Sequence, residues 1–233
     1  MKAPETIQCD LAVIGAGMAG MAAAVFAAHR GLSTLQVGRT GEIVLSTGFL
    51  DLLGVHPVEE GKVWEDPWAA IDALVQAVPR HPYARLGREE IRSAFKKMIA
   101  FLDRAGLRYE TKAGGNALVI SPLGTVKPTY GVPATMWNGV TALERKFPCL
   151  IVDFEGLRGF SSRLIAAGLG DRWPGLRGAT IPFPRTGPAG EAYPEHLARA
   201  LDLSETRERL VDLIQPHLGE ARAVGMPAVL GTY

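Results

Sequence analysis

Cys9-Asp10-Leu11-Ala12-Val13-Ile14-Gly15-Ala16-Gly17-Met18-Ala19-Gly20 is the stretch whose reading decides the fold. Cys9 to Ile14 predicts a buried strand, and the Ala-rich run Met21 to Arg30 predicts a helix that Gly31 stops. Leu32 to Val37 predicts a second strand. A strand, glycine turn, helix and strand within about 30 residues is the setting that a dinucleotide-binding motif requires. Gly15 permits the tight turn, Gly17 lets backbone approach a pyrophosphate, and Gly20 lets the helix pack on the strand. With Met18 and Ala19 between them, these residues open a helix whose free N–H groups and positive dipole end favour a phosphate. The expected class is α/β, a Rossmann-like FAD/NAD(P)-binding fold with a three-layer, mostly parallel sheet.

One feature of that motif is missing. Folds of this kind usually carry an Asp or Glu after the second strand to bind the adenosine ribose, yet no acid occurs between Asp10 and Glu42. The strand runs out as Val37-Gly38-Arg39-Thr40. Arg39 suits the extra phosphate of NADP, the terminal phosphate of a shorter flavin, or plain solvent exposure, and the residues alone leave these open. Further on, Ile43 to Leu53 contains Ser46-Thr47-Gly48 between apolar flanks. Small side chains and free N–H groups there could admit a flat ring, and an ordinary loop has the same composition.

The remaining chain predicts a second region. Asp66-Pro67 opens a helix through Val78, with Asp66 as N-cap and Pro67 at the first position. Arg88 to Ala105 reads as an amphipathic helix with Ile91, Phe95, Met98, Leu102 and Ala105 on one face. Leu107 to Thr129 reads as a β-meander, Phe147 to Asp153 as a buried strand, and residues near Phe160 to Ala167 as a helix. Gly168 to Gly190 is rich in Pro and Gly and is expected to be a long loop. Glu195 to Leu203 and Ser204 to Leu218 predict helices, and Met226 to Leu230 a short strand. The domain expectation is therefore a βαβ unit over 1–54 and an inserted α+β, substrate-type region over 55–233. That arrangement leaves the first sheet short of strands, since a doubly wound sheet needs about five or six.

Composition narrows the function classes. The chain has 233 residues with 25 basic and 24 acidic side chains, a formal net charge of +1. Nothing in that balance argues for nucleic acid. The two cysteines, Cys9 and Cys149, form no CxxC pattern, so neither a zinc site nor a disulfide framework is expected, and a reduced, cytoplasmic chain is. No run reaches the ~20 apolar residues of a membrane helix. The five histidines are scattered without ligand spacing, and no GxSxG, HExxH or Walker A pattern occurs. His81-Pro82-Tyr83 reads as a turn. Between Gly156 and Gly190, Arg158, Arg163, Arg172, Arg177 and Arg185 face one acid, Asp171, a segment able to hold a phosphorylated substrate or meet an acidic partner.

Read together, several stretches resemble the B subunit of anaerobic glycerol-3-phosphate dehydrogenase. They are Leu11 to Gly20, Leu45-Ser46-Thr47-Gly48-Phe49-Leu50-Asp51-Leu52-Leu53, His81-Pro82-Tyr83-Ala84-Arg85-Leu86-Gly87, Ser121-Pro122-Leu123-Gly124-Thr125 and Met226-Pro227-Ala228. They follow one another in the family's order along the whole chain, and members of that family are nearly twice as long. The resemblance implies a flavoprotein oxidoreductase, with FMN favoured and FAD also compatible. It implies a catalytic FAD subunit and an iron–sulfur, membrane-anchoring subunit as partners, and hence a cytoplasmic place at the membrane surface. The implied reaction oxidises sn-glycerol 3-phosphate to dihydroxyacetone phosphate, with electrons passed to quinone. Gly15, Gly17, Met18, Ala19, Gly20 and Arg39 would then hold the flavin phosphate, and Ser46, Thr47 and Gly48 would lie near the ring. No catalytic base stands out. Two other functions fit the residues: a stand-alone FAD- or NADP-linked reductase of another small molecule, and a truncated, non-catalytic assembly module.

Overall fold

The computed structural model of the protein describes residues 6–39, 47–184 and 192–229. Its strands are β1 (Leu11–Ile14), β2 (Thr34–Val37), β3 (Tyr109–Thr111), β4 (Ala117–Ile120), β5 (Val126–Thr129), β6 (Gly131–Pro133), β7 (Cys149–Phe154), β8 (Leu176–Ile181) and β9 (Ala223–Gly225). Its helices are α1 (Met18–Ala28), α2 (Pro67–Ala77), α3 (Arg88–Arg104), α4 (Trp137–Arg145), α5 (Ser162–Leu169), α6 (Pro194–Leu201) and α7 (Ser204–Ile214). The chain divides into two compact units, one of residues 1–49 and 86–108, the other of residues 50–85 and 109–233. The expected break after residue 54 lies just beyond the first of these boundaries, and the α3 segment joins the N-terminal unit.

In the first unit β1 and β2 pair in parallel, Leu11 opposite Thr34 through Ile14 opposite Val37. Asp10 fixes the entry to the pair, its Oδ2 accepting from the Ser33 amide at 2.8 Å. The strand is where the apolar run placed it, but it is not buried: Ile14 is 92% exposed. Parallel strands are buried when layers cover both faces, and the described part of this unit supplies two strands with α1 beside them. Helix α1 is apolar on every side, yet Ala27 is its one buried residue. Helix α3 follows the expected amphipathic pattern, burying Ile91, Met98 and Leu102. It begins where Glu90 Oε2 accepts from the Gly87 amide at 2.8 Å, and it ends at Arg104, leaving Ala105 as an exposed cap. An edge-to-face contact between His29 and Phe101 joins α1 to α3.

The second unit holds most of the core. Helix α2 starts as expected, Asp66 Oδ1 accepting from the amides of Trp68 and Ala69 with Pro67 in the first turn. The expected meander is instead nested. β4 and β5 form an antiparallel hairpin, and β3 skips it to pair with β6, Tyr109 opposite Pro133. The turn residues did mark the strand ends, but adjacency in sequence does not decide pairing. Helix α4 had no counterpart in the sequence reading. The central element is β7, buried at every residue, with β8 and β9 parallel on its two sides.

Two further expectations are corrected at this sheet. Residues 168–190 are not one long loop, because Leu176–Ile181 is a strand paired along its length with β7. Its Pro and Gly neighbours flank the pairing rather than interrupt it. Gly178 lies inside because a Cβ there would stand 2.5 Å from the Ser162 carbonyl oxygen. Among the described residues the last strand is Ala223–Gly225, not one beginning at Met226, and Pro227, which has no N–H, lies just past its end. Alternation along β7 separates two cores. Leu150, Val152 and Phe154 meet Leu197, Leu210 and Ile214 of α6 and α7, whereas Cys149 and Ile151 meet Ile165 and Leu169 of α5 with Trp173. This is a small doubly wound arrangement.

Candidate functional site

The glycine turn between β1 and α1 is the most specialised backbone of the first unit. Gly15 has φ +122°, a region that side chains rarely adopt. Its amide donates to the Val37 carbonyl at 2.7 Å, and its own carbonyl accepts from Gln36 Nε2 at 2.9 Å. Gly20 has no room for a side chain, since a Cβ would lie 2.3 Å from the Gly15 carbonyl oxygen. Gly17 differs: nothing lies within 4 Å of where its Cβ would project. Gly15 and Gly20 thus let strand, turn and helix close on one another, and Gly17 leaves the outer side of the turn clear.

Gly17 is also the N-cap of α1, with extended backbone and no side-chain cap, and the first helical turn has no acid. The first N–H groups of a helix have no acceptor within it, so here they and the positive dipole end are left without an acid in their own turn. Such an end can receive an oxyanion. Met18 and Ala19 supply two of these amides, and Ala19 is exposed. Parallel pairing brings the carboxyl end of β2 to the same edge. There a Cβ on Gly38 would meet the Ala16 amide nitrogen at 2.6 Å, and Arg39 follows, exposed. The structure therefore gathers Gly15, Gly17, Met18, Ala19, Gly20 and Arg39 along one edge of the pair. Thr47 and Gly48 belong to the same unit and carry a local turn, Thr47 Oγ1 accepting from the Phe49 amide at 3.4 Å and Gly48 at φ +74°. Ser46 lies outside the described residues.

Sequence reasoning passed over Gln36 and Gly38, which hold the turn and make space for it. The signal for Gly38 was present, since a glycine ends the second strand directly before Arg39. A shallow groove of about 410 Å³ between α1 and α3, lined by Phe26, Arg30, Glu89 and Lys97 among others, lies at the opposite end of α1 from the glycine turn.

Other candidates resolve into structural roles. Tyr83 donates its hydroxyl to the Leu52 carbonyl at 3.1 Å, and His81 Nδ1 accepts from the Tyr83 amide, so His81-Pro82-Tyr83 is a turn as expected. Ser121 Oγ accepts from the amides of Leu123 and Thr125 and closes the β4–β5 turn. Asp51 pairs with Lys127. Burial pushes the Cys149 thiol up to about 11, which makes it an inert core group. Among the described residues the arginines of 156–190 do not form one site. Arg177 donates to the carbonyls of His217 and Leu218, Arg163 lies on α5, and Arg185 is outside the described residues. Among the described residues no cluster of His, Cys, Asp and Glu could hold a metal ion.

Known proteins are similar to the chain along nearly all of its length. The family described as FAD binding domain matches residues 10–233. A probable B subunit of anaerobic glycerol-3-phosphate dehydrogenase from Halobacterium salinarum is 34% identical over 97% of this chain and 53% of its own. The B subunit of anaerobic glycerol-3-phosphate dehydrogenase from Yersinia pseudotuberculosis is 28% identical over 95% of this chain and 54% of its own. That of Pectobacterium atrosepticum is likewise 28% identical, over the same shares. The chain spans about half the length of the curated relatives it matches, and no solved structure matches it. Since the family match begins one residue before β1 and runs through both units, the chain belongs to the FAD binding domain family, whose ligand is a flavin nucleotide.

Proposed function

We propose that this chain is the flavin-holding part of a subunit of the B type of anaerobic glycerol-3-phosphate dehydrogenase, oxidising sn-glycerol 3-phosphate to dihydroxyacetone phosphate with electrons passed on to quinone. The observation that carries the reading is the uncapped, acid-free N-terminus of α1 behind a glycine turn whose outer side is open at Gly17. Bound flavin supplies the two-electron chemistry, and the protein supplies binding, orientation and charge. The amides of Met18, Ala19 and Gly20 donate to a phosphate oxygen, and Arg39 neutralises the phosphate from the end of β2. Ser46, Thr47 and Gly48 are the ring-side residues of the reading.

The family is described by FAD, and the acid-free end of β2 also accommodates FMN, which has no adenosine ribose. The finer architecture belongs to the same proposal. The first unit is part of a three-layer, mostly parallel flavin sheet, and the second is an inserted substrate-type region. The relatives are named as one subunit of a larger enzyme, which implies partner subunits, and a catalytic FAD subunit and an iron–sulfur subunit are the partners proposed. Among the described residues no helix is long and apolar enough to cross a membrane, which is compatible with attachment through a partner.

The test is the flavin content of the purified chain, read from its visible spectrum and from chromatography of the released cofactor. We expect Gly17→Val to keep its far-ultraviolet circular dichroism and to retain at least about tenfold less flavin, because its side chain fills the phosphate approach. Equal flavin in Gly17→Val and wild type would remove the glycine turn from the site. Bleaching of the bound flavin by glycerol 3-phosphate, in the reconstituted complex, tests the substrate separately.

A further inference from the structure

Arg172, one of the arginines singled out by sequence, has a different setting from the rest. It stands at the amino edge of the β8-β7-β9 sheet, where three loops converge: the exit of α4 at 146–148, the turn at 170–175 and the lead into β9 at 219–222. Main-chain bonds tie these loops together. The Cys149 amide donates to the Gly175 carbonyl at 3.0 Å, and the Arg222 amide donates to the Pro148 carbonyl at 2.8 Å. The Trp173 indole donates to the Phe147 carbonyl at 2.9 Å. Three cations sit on this frame. Lys146 Nζ lies 5.4 Å from the centre of the Trp173 ring, Arg222 Cζ lies 5.0 Å from that of Phe147, and Arg172 adjoins Trp173 in the chain.

Two features argue that the arrangement is held ready. Lys146 has φ +54°, the one positive φ outside glycine among the described residues, so the loop holds it in backbone that a lysine rarely adopts. Partial burial, with the charge of the nearby Arg172 added to it, holds the Lys146 ammonium below its usual range. All three cations are exposed, and none has an ion-pair partner among the described residues. The neighbouring acids Asp171 and Glu220 pair with none of them, and Glu144 is engaged by Lys112 at 2.9 Å. Lys146 and Arg172 repel each other without a counter-ion, and an anion brought to them relieves that repulsion.

We propose that Lys146, Arg172 and Arg222 form a docking surface for an acidic segment of a partner polypeptide. A guanidinium stacked on a ring has already lost rotamer freedom, which suits an interface anchor. A bilayer fits less well, because Trp173 is fully buried and Phe147 half-buried, leaving neither ring to enter lipid. The choice of a polypeptide rests on the subunit reading above, whereas the surface itself does not.

The probe is a fluorescein-labelled peptide of eight glutamates, titrated into the full chain at low ionic strength. The test variant is Lys146→Gln/Arg172→Gln/Arg222→Gln. The control, of equal charge change, is Lys96→Gln/Lys97→Gln/Arg104→Gln on α3. We expect at least tenfold weaker binding in the first variant, less than twofold change in the control, and wild-type binding that falls steeply with salt. Equal losses in both variants, no binding by wild type, or tight binding to phosphatidylglycerol vesicles that the peptide cannot displace would each overturn the proposal. Arg172→Gln alone, expected to fold, must lower peptide affinity if the full variant proves unstable. Flavin content is read in parallel. Its absence from wild type counts against the flavin assignment and leaves the peptide result to stand by itself.

Discussion

At the scale of single residues the clearest chemistry is a negative one. Cys149 begins β7 and is 4% exposed, and burial lifts its thiol from 9.0 to about 11. The sign follows from the proton. Between those values the unfolded chain has released it and the folded chain still holds it, so stability is intact below pH 9 and is lost as pH rises toward 11. The loss amounts to about 1.4 kcal/mol by pH 10. Denaturation of wild type and Cys149→Ala at pH 8 and pH 10 should show wild type losing more than the variant by about that amount. Parallel losses would mean that the thiol already meets water in the fold. The geometry of the candidate site was legible in part for an equally local reason. Gly15 and Gly20 are forced by backbone geometry that a motif records, whereas Gln36 reaches the turn from the next strand through a side chain that no spacing announces.

At the scale of elements, helix starts explain why some boundaries could be read and others not. Asp66-Pro67 carries its own cap, and α2 begins where the sequence says. Helix α5 is capped twice, once by the adjacent Ser161, whose Oγ accepts from the Leu164 amide at 3.3 Å. The second cap is Asp153 of β7, whose buried Oδ2 accepts from the Ser162 amide at 2.7 Å. A short, fully buried bond outweighs a longer, exposed hydroxyl cap. Asp153→Ala should therefore cost about 2 kcal/mol and Ser161→Ala about 1 kcal/mol. Urea unfolding followed by tryptophan fluorescence gives both values, and a smaller cost for Asp153→Ala would deny it the capping role. Strand β8 escaped sequence reading because its six residues are bounded by Pro174-Gly175 before and Pro182 after, while β7 announced itself by a continuous apolar run. The β3–β6 pairing escaped for another reason: strand order is a tertiary choice, made when the β4–β5 hairpin closes between them.

At the scale of the whole molecule, the two units differ in how much they bury. Every residue of β7 is buried and pairs with β8, and its first half pairs also with β9, between two apolar clusters. β1 and β2 pair with each other alone among the described residues, and Ile14 and Val37 at their carboxyl ends stand 92% and 56% exposed. Amides exchange with solvent through the cheapest opening that frees them, and openings in a sparsely packed pair cost less than global unfolding. Native-state hydrogen exchange should find the Leu150 and Val152 amides among the slowest, and those of Ala12 to Ile14 at least ~100-fold faster, a gap of about 2.7 kcal/mol. Fluorescence cannot replace that measurement, because Trp64, Trp68, Trp137 and Trp173 all fall in the second unit and report its unfolding only. On the proposed site, a phosphate seated on the amides at the head of α1 would stabilise the more sparsely packed of the two units. Added FAD should then slow exchange at Met18 to Gly20 and in β1, with little change in β7. If β1 exchanges as slowly as β7 without a ligand, burial seen within the unit does not set its stability.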